Sequence, residues 1–257
     1  MANRERFSIR HRIGSINFIS ASPRDAAGGL IELALDPNVT SAHVHLANAY
    51  TIALADMDEG YRNALSDQAL NFPDGKPLGW ASRIKGHKTP LIQVRGPQLF
   101  LDVMELGLER NVRHFLLGST PQVLSLLETN LKKMFPDIEI VGTISPPFRK
   151  LSENELEIQD REIRESGAHI VWVGLGTPKQ DFEVLRLAGT VAAVSVAIGA
   201  AFDFSAGTLP QAPAWMRAVG LEWFFRLIKE PRRLWRRYLI GNLQFIRSTF
   251  FRKGSKE

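Results

Sequence analysis

The sequence predicts an α/β fold: a mostly parallel sheet flanked by helices, followed by a basic amphipathic helical appendage. Three observations lead to this prediction. Short apolar runs alternate with amphipathic segments, which is the pattern of parallel strands joined by helices. The length of 257 residues, with 44% apolar and 23% charged residues, fits one large globular domain and excludes a disordered or fibrous chain. Basic residues are concentrated near the C-terminus. Such an architecture is Rossmann-like.

The predicted strands are short apolar runs at residues 13–19, 42–47, 113–117, 138–141, 168–173 and 191–198. Amphipathic stretches predict helices at residues 97–110, 121–135, 152–166 and 178–187. Ser152 and Glu155 have the spacing of a capping box, in which each side chain binds the other residue's backbone N–H group. The longest apolar run, residues 191–202, is shorter than the ~20 residues of a membrane-spanning helix, so a buried strand is predicted there.

Two strand–helix junctions share one pattern: Gly118-Ser119-Thr120-Pro121 and Gly174-Leu175-Gly176-Thr177-Pro178. Each predicts a strand, a glycine, a hydroxyl cap and a proline at the first helical position. Free N–H groups and the helix dipole at such a start favour a phosphate, although a tight turn without a ligand explains either junction alone equally well. Neither junction completes Gly-x-Gly-x-x-Gly, because Lys179 stands three residues after Gly176. An NAD-dependent enzyme is therefore disfavoured.

Polar residues stand where the predicted strands end, and ligands of open α/β sheets bind at the carboxyl ends of strands. Asn48 follows one strand, Asp74 lies in a Pro-Asp-Gly turn, and Gln180 falls in the first turn of a helix. Asp203 follows the last apolar run. A lone aspartate in such a turn is more often only a turn former, and Asp203 could equally cap a helix or pair with an arginine.

Residue types exclude several kinds of site. The chain has no cysteine, which rules out disulfides, thiolate metal sites and a cysteine nucleophile. His43 and His45 share one strand face without an evident third ligand, so a strand-face pair is favoured over a metal site. The N-terminal residues lack the apolar core of a secretory signal, so we do not expect export.

The formal charge of +5 is unevenly distributed. Residues 215–257 contain 11 Lys and Arg against 3 Asp and Glu, a net charge of +8, whereas the preceding 214 residues have a net charge of −3. Apolar residues recur at helical spacing over residues 221–240, and Pro231 starts a second helix. Arginines interleaved with Trp, Phe and Leu are typical of a helix lying in a membrane interface. The alternative is a helix packed on the core with solvated arginines.

An ordered series of motifs runs along most of the chain: Asn48-Ala49, Pro73-Asp74-Gly75, Arg95-Gly96-Pro97, the segments 174–180 and 199–204, Ala212-Pro213 before Trp215, Gly220-Leu221-Glu222-Trp223, Arg226, the segment 230–233 and Arg236-Arg237-Tyr238. This series closely resembles the WecG/TagA/CpsF glycosyltransferases, glycosyltransferase family 26. The resemblance covers roughly residues 13–245. The ordered set is far more specific than any one of its members.

The resemblance implies an inverting, metal-independent glycosyltransferase without a cofactor. Its donor would be a UDP-sugar that supplies a hexosyl or N-acetylhexosaminyl group, and its acceptor a saccharide linked to a polyprenyl diphosphate. Such enzymes build teichoic-acid linkage units, enterobacterial common antigen, capsules and exopolysaccharides. We therefore expect a peripheral protein on the cytoplasmic face of a bacterial membrane, with an anionic membrane surface as a partner and a homo-oligomer as a possible state.

The same resemblance implies roles for Asp74, Asn48 and Gln180, and the chemistry of sugar transfer indicates partners for the nucleotide and the lipid. Asp74 would be the general base, with Asn48 beside it as the second catalytic residue. The residues expected to bind the nucleotide sugar are Gly118, Gly174, Gly176, Gln180, Asp203 and Arg95, with Phe148 as a cover for the base. Those expected at the acceptor diphosphate or the membrane are Arg226, Arg232, Arg233, Arg236, Arg237, Trp223 and Trp235. Residues 1–212 would form the catalytic domain and residues 213–257 the membrane-associating appendage.

Two positions depart from the family pattern, and other functions remain open. Leu46 stands where the family often has threonine, and Gln211 where a basic residue is common, so the donor sugar is not fixed. A nucleic-acid-binding protein would use the same basic tail, but here the arginines interleave with an apolar face and the body is acidic, so no nucleic acid partner is expected. A nucleotide-dependent oxidoreductase is weakened by the incomplete glycine motif. An inactive scaffold is disfavoured because Asn48, Asp74 and Gln180 are all present.

Overall fold

The computed structural model describes residues 7–66 and 68–251, without the side chain of Arg233. Its centre is a sheet of six parallel strands in the order β4-β3-β8-β7-β5-β6, beside an antiparallel hairpin of β1 and β2. The predicted fold class is confirmed. The strands are β1 (Arg10–Ile13), β2 (Ile16–Ile19), β3 (Ala42–Ala47), β4 (Leu70–Pro73), β5 (Arg113–Gly118), β6 (Glu139–Ile144), β7 (Ile170–Gly174) and β8 (Val194–Ala197).

Helices cover the sheet and continue beyond it. They are α1 (Pro23–Leu35), α2 (Ala49–Met57), α3 (Glu59–Ala64), α4 (Lys76–Ile84), α5 (Gly96–Gly107), α6 (Pro121–Met134), α7 (Glu153–Ser166), α8 (Lys179–Ala188), α9 (Ala201–Ala206), α10 (Ala214–Ala218), α11 (Glu222–Lys229) and α12 (Pro231–Ile246). A single 3₁₀ turn, Leu108–Arg110, follows α5, and a π-helical turn, Arg247–Phe251, follows α12. The predicted capping box of Ser152 and Glu155 is present at the start of α7.

Alternate residues of the central strands enter separate cores on the two faces of the sheet. On β7, Trp172 packs with Phe100 and Phe202 on one face, whereas Val171 and Val173 belong to a second cluster on the other. Strands buried on both faces are expected when helices cover both sides of a parallel sheet. Because all six strands are parallel, their carboxyl ends meet at one edge, where the polar residues that follow them come together.

The structure corrects two strand predictions. The predicted strand at residues 13–19 is a hairpin, because Gly14, with a φ of 60°, turns the chain between β1 and β2. Strand β4 was missed. It is an edge strand of four residues that ends in Pro73, and a run that short gives little periodic signal.

The C-terminal helices pack against the α/β body. Phe245 of α12 is 6% exposed and joins the cluster that contains Ile52 of α2. Gly241 approaches α2 so closely that a Cβ there would lie 3.0 Å from the ring of Tyr50. Leu239 and Ile240 of the same helix are exposed. Within the described segments, no helix is long and apolar enough to cross a lipid bilayer.

Candidate active site

A large cavity opens at the carboxyl edge of the sheet, between the loops that follow the strands and the helices α11 and α12. Its volume of about 1440 Å³ exceeds the roughly 300–1,000 Å³ usual for one small ligand, so two substrates can occupy it together. Nine basic and five acidic side chains line it: Lys76, Arg95, Arg149, Lys150, Lys179, Arg186, Arg217, Arg226, Arg237, Asp74, Glu183, Asp203, Glu222 and Glu230. This surplus of positive charge suits a ligand that carries phosphates.

Asp74 lies in the wall of this cavity, directly after β4. Its N–H donates to the carbonyl of Ala47 at 2.8 Å, which extends the pairing of β3 and β4 by one residue. Gly75, with a φ of 140°, then turns the chain into α4. Burial raises the pKa of the Asp74 carboxyl to about 7, and the charge of Glu222 adds to the rise. A carboxylate with a pKa near neutrality is suited to accept a proton during catalysis.

Arg95 joins the α/β body to the C-terminal helices. Its guanidinium makes a two-point ion pair with Glu222 of α11, with nitrogen–oxygen distances of 3.1 and 2.9 Å. The two charges act on Asp74 in opposite directions, since Arg95 lowers the pKa that Glu222 raises. Arg95 therefore lies near the candidate base, and its guanidinium is already bound by the Glu222 carboxylate.

Arg226 and Arg237 approach Asp74 from α11 and α12, and both oppose the rise of its pKa. The guanidinium of Arg226 lies 5.7 Å from the centre of the Phe204 ring, and that of Arg237 lies 4.7 Å from the Tyr50 ring. Burial lowers the pKa of Arg237, and its buried Nε has no hydrogen-bond partner among the described residues. A buried guanidinium with an unused donor is a ready partner for an anionic ligand.

Asn48 follows β3 and caps α2. Its amide oxygen accepts hydrogen bonds from the N–H groups of Tyr50 and Thr51, at 3.0 and 3.3 Å. The Thr51 hydroxyl accepts from the Asn48 N–H at 3.2 Å, which completes a capping box. Asparagine is among the best N-cap residues, so local sequence explains this arrangement. Asn48 also lines the cavity, and the group that it can offer a substrate is its amide NH₂.

Gln180 ties two neighbouring loops together. Its side chain is buried, and its Oε1 accepts hydrogen bonds from the N–H groups of Gly176 and Gly199, both at 3.0 Å. Gly176 follows β7 and Gly199 follows β8, the strand beside it. Gln180 thus fixes the shape of the cavity at two strand ends.

The two glycine junctions differ in detail. At the first, Thr120 caps α6 and Pro121 is its first residue, as predicted. At the second, the predicted cap at Thr177 is wrong, because α8 begins without a side-chain cap. The left-handed turn at Gly176, with a φ of 77°, brings the N–H of Gln180 to the Gly176 carbonyl at 3.0 Å. The protein itself therefore uses N–H groups that we expected a phosphate to use.

Gly118 and Gly174 allow two strands to end in close contact. They are partners in the register of β5 and β7, and a Cβ on Gly118 would lie 2.5 Å from the carbonyl oxygen of Gly174. A Cβ on Gly174 would lie 2.7 Å from the Phe202 ring. Gly174 lines the cavity. At the end of β5 the cavity is lined by Ser119 and not by Gly118. Packing alone requires glycine at both positions.

A buried polar network holds the first turn of α8. Nδ1 of His45 lies 2.9 Å from Oδ1 of Asp181, and the Tyr61 hydroxyl donates to Oδ2 at 2.9 Å. Nδ1 of His43 lies 3.0 Å from Nε2 of His45, so the two histidines do share a strand face. Burial and the neighbouring His45 lower the pKa of His43 to about 4. Asp181 is next to Gln180 in the chain, so this network also anchors the residue that holds the two loops.

The remaining predicted residues divide between the cavity and the surface. Asp203, Phe148 and Trp223 line the cavity, as does Leu46. Oδ1 of Asp203 accepts from the Thr208 hydroxyl at 3.5 Å. Phe148 is 86% exposed in the loop after β6.

Three residues expected at the acceptor or the membrane, Arg232, Trp235 and Arg236, lie outside the cavity. Arg232 and Arg236 are exposed on α12, and the guanidinium of Arg236 lies 5.2 Å from the centre of the Trp235 ring. The side chain of Arg233 lies outside the described part of the chain.

Within residues 7–66 and 68–251, no group of three or more histidine, aspartate or glutamate side chains could hold a metal ion. The chain has one Asp-x-Asp sequence, Asp56-Met57-Asp58. Asp58 caps α3 by accepting from the Tyr61 N–H at 3.0 Å, and neither carboxylate lines the cavity.

Sequence reasoning missed Glu222 and Tyr50 as parts of the site. The Glu222 ion pair joins residues 127 positions apart, and no local pattern predicts such a pair. The contact of Tyr50 with α12 did have a signal. Leu234, Gly241 and Phe245 fall on one helical face, and a small residue within an apolar face indicates close packing against another element.

The profile of the "Glycosyl transferase WecG/TagA/CpsF family" matches residues 12–257. A curated relative from Bacillus subtilis strain 168 is 28% identical over 188 residues, which cover 71% of this chain and 69% of the relative. Another, from Bacillus spizizenii strain W23, is 29% identical over 228 residues, which cover 88% of this chain and 86% of the relative. Both relatives are named N-acetylglucosaminyldiphosphoundecaprenol N-acetyl-beta-D-mannosaminyltransferase.

Proposed function

Because the chain belongs to the WecG/TagA/CpsF family and is a glycosyltransferase, we propose that it transfers a sugar from a UDP-sugar to a saccharide on a polyprenyl diphosphate. The names of both relatives specify an acceptor of this kind. One observation carries the proposal: Asp74, with a pKa of about 7, faces two arginines in a cavity that has room for two substrates. The product would enter the synthesis of a bacterial surface polymer such as teichoic acid or exopolysaccharide.

In this mechanism Asp74 acts as the general base. Its ionised carboxylate takes the proton of the acceptor hydroxyl while that oxygen forms a bond to the anomeric carbon of the donor sugar. The bond from that carbon to the nucleoside diphosphate breaks on the opposite face, so the anomeric configuration inverts. A positioned base contributes about 10²–10⁴-fold to the rate. The pKa near 7 provides the carboxylate at neutral pH and keeps it basic enough to accept the proton.

The departing diphosphate gathers negative charge as its bond to the sugar breaks. We propose that side chains of the cavity stabilise this charge without a bound metal ion. Arg95, which acts electrostatically on Asp74, and Lys179, the first residue of α8, both line the cavity and are available for this role. Fixed positive groups in a site partly shielded from water stabilise a developing anion strongly, since they need no reorganisation during the reaction.

We further propose that the outer face of α12 rests on the inner surface of the cell membrane. Trp235, Leu239 and Ile240 are 44%, 61% and 49% exposed there, and Arg232 and Arg236 lie among them. Exposed aromatic and aliphatic side chains with interleaved arginines are typical of helices that bind a membrane interface. This orientation would place the cavity at the surface from which a lipid-linked acceptor projects.

A panel of donors tests the proposal. The full chain is incubated with N-acetylglucosamine linked to a polyprenyl diphosphate, in the presence of EDTA, with UDP-activated N-acetylmannosamine, its uronic acid, N-acetylglucosamine or glucose. We expect mass spectrometry to show one added sugar on the lipid for one of these donors. Absence of transfer with every donor, or transfer that EDTA abolishes and magnesium restores, would contradict the proposal.

A further inference from the structure

The cavity changes in chemical character along α12. Arg237 lines it close to Asp74, whereas Phe245, Ile246 and Phe250 line it farther along the chain. Because an α-helix rises 1.5 Å per residue, Phe245 lies about 12 Å beyond Arg237 along the helix axis. The cavity thus has a charged centre and an apolar extension, which we call the apolar arm.

Helix α4 also contributes apolar side chains to the cavity. Ala81 of α4 and Phe245 of α12 belong to one buried cluster, and both line the cavity. Trp80 and Ile84, one turn apart on α4, also line the cavity. The apolar arm is therefore defined by residues Trp80, Ala81, Ile84, Phe245, Ile246 and Phe250.

The rim of the apolar arm is unusually exposed for such large apolar side chains. Ile84 is 71% exposed, Trp80 47%, Ile246 46% and Phe250 41%. Water in contact with these groups is released when an apolar ligand covers them, so the arm favours a hydrocarbon that can enter it. Arg226 and Arg237, which line the same cavity, favour an anion at its inner end.

We propose that the apolar arm binds the first isoprene units of the acceptor lipid, those next to the diphosphate. This inference rests on the proposed function. The order of groups along the cavity matches their order in such an acceptor. The saccharide hydroxyl lies at Asp74, the diphosphate at Arg226 and Arg237, and the hydrocarbon in the arm. The rest of the prenyl chain extends past the exposed rim into the bilayer.

Soluble acceptors separate this binding from membrane docking. The same saccharide diphosphate is prepared as its methyl, geranyl and farnesyl esters and assayed with the full chain in detergent-free solution. We expect the KM for the acceptor to fall at least about tenfold from methyl to geranyl, because several methylene equivalents leave water. It should then level off once the arm is filled.

Two variants test whether the prenyl group binds in the apolar arm. Ile84→Asn and Ile246→Asn should lose most of the gain in KM while leaving the KM for the methyl ester unchanged. Both side chains are exposed, so folding is not at risk. Leu126→Asn is the matched control, because Leu126 is 48% exposed on α6 and lies outside the cavity.

The outcomes separate this inference from the proposed function. Equal KM values for the methyl and geranyl esters, or a gain retained in both variants, would overturn the apolar arm as a prenyl site and leave the glycosyltransferase proposal intact. No transfer to the methyl, geranyl, farnesyl or full-length polyprenyl acceptor would overturn the proposed function, and this inference with it.

Discussion

Replacing Asp74 with asparagine removes the proposed base and keeps the shape of the side chain. We expect Asp74→Asn to lower kcat by about 10²–10⁴-fold, the usual contribution of a general base. Binding of UDP, measured by calorimetry, should be retained, because the change removes a negative charge from a cavity that binds a diphosphate. For the wild-type chain, kcat/KM should rise tenfold per pH unit below an apparent pKa near 7 and level off above it.

The same variant should be more stable than the wild type at neutral and alkaline pH. The Asp74 carboxyl ionises near 3.8 when unfolded and near 7 when folded, so the unfolded chain loses this proton first. The folded state is therefore increasingly disfavoured as pH rises from about 4 to 7, and the penalty stays constant above that. A shift of about three pKa units sets an upper limit of about 4 kcal/mol. Screening by water in an open cavity reduces this to about 2 kcal/mol.

Urea unfolding at pH 5 and pH 8 measures this difference. The advantage of Asp74→Asn over the wild type should be larger at pH 8. Asp160→Asn is the control, because its effect on stability at pH 8 should have the opposite sign. Burial alone would raise the pKa of Asp160, but hydrogen bonds from Arg186 outweigh it and hold that pKa low, so this variant should lose stability at pH 8. If Asp74→Asn keeps more than a tenth of the wild-type kcat, or if its stability advantage does not grow with pH, the assignment of Asp74 as a base with a raised pKa is refuted.

Four further predictions follow from the site. Glu222→Gln should move the acidic limb of the pH–rate profile to lower pH, because the charge of Glu222 raises the pKa of Asp74. An unchanged limb would show that Glu222 does not influence the ionisation of the base. Asp181→Asn should weaken UDP binding about tenfold, because it loosens the two loops that Gln180 holds. Asp160→Asn, at an equally buried carboxylate that pairs with Arg186 of α8, should lower the melting temperature alone. Calorimetry and thermal unfolding distinguish the two outcomes. Gly118→Ala should lower the free energy of unfolding by about 3 kcal/mol, because the new Cβ would lie 2.5 Å from a backbone oxygen. Gly176→Ala should lower it by only about 1 kcal/mol, because no atom lies near its new Cβ. Equal losses of the two variants in urea unfolding would contradict this expectation. The double variant Arg232→Glu, Arg236→Glu should bind anionic vesicles at least about tenfold more weakly than the wild type and keep its activity on a soluble acceptor. Undiminished binding in a vesicle sedimentation assay would show that the outer face of α12 does not bind the membrane.

Much of the site's location could be predicted because it depends on a general rule. Asn48, Asp74 and Gln180 stand directly after strands or at a helix start, and the carboxyl ends of parallel strands meet at one edge of a sheet. Asn48 and Gln180 converge once the predicted strands are assigned, without any knowledge of side-chain packing, whereas Asp74 follows β4, which was not predicted. The family could also be predicted, because its short motifs occur in order along the sequence and need no knowledge of the structure.

The roles of those residues were less predictable, because they depend on contacts distant in sequence. Gln180 is predicted to bind the nucleotide sugar. The structure shows in addition that its oxygen accepts hydrogen bonds from the N–H groups of Gly176 and Gly199, which follow two different strands. Likewise, the amphipathic pattern of α12 shows that one face is apolar but not what covers it. Only the three-dimensional structure places Phe245 in the core and Leu239 in water.

The stereochemistry of the transferred sugar shows whether the acceptor hydroxyl attacks the donor sugar directly. The full chain is given an α-linked UDP-sugar and a polyprenyl-diphosphate saccharide, and NMR determines the anomeric configuration of the new linkage. Direct attack by a hydroxyl that Asp74 deprotonates predicts a β-linked product, absent with Asp74→Asn. An α-linked product, or β-linked product formed equally well by Asp74→Asn, would contradict the account.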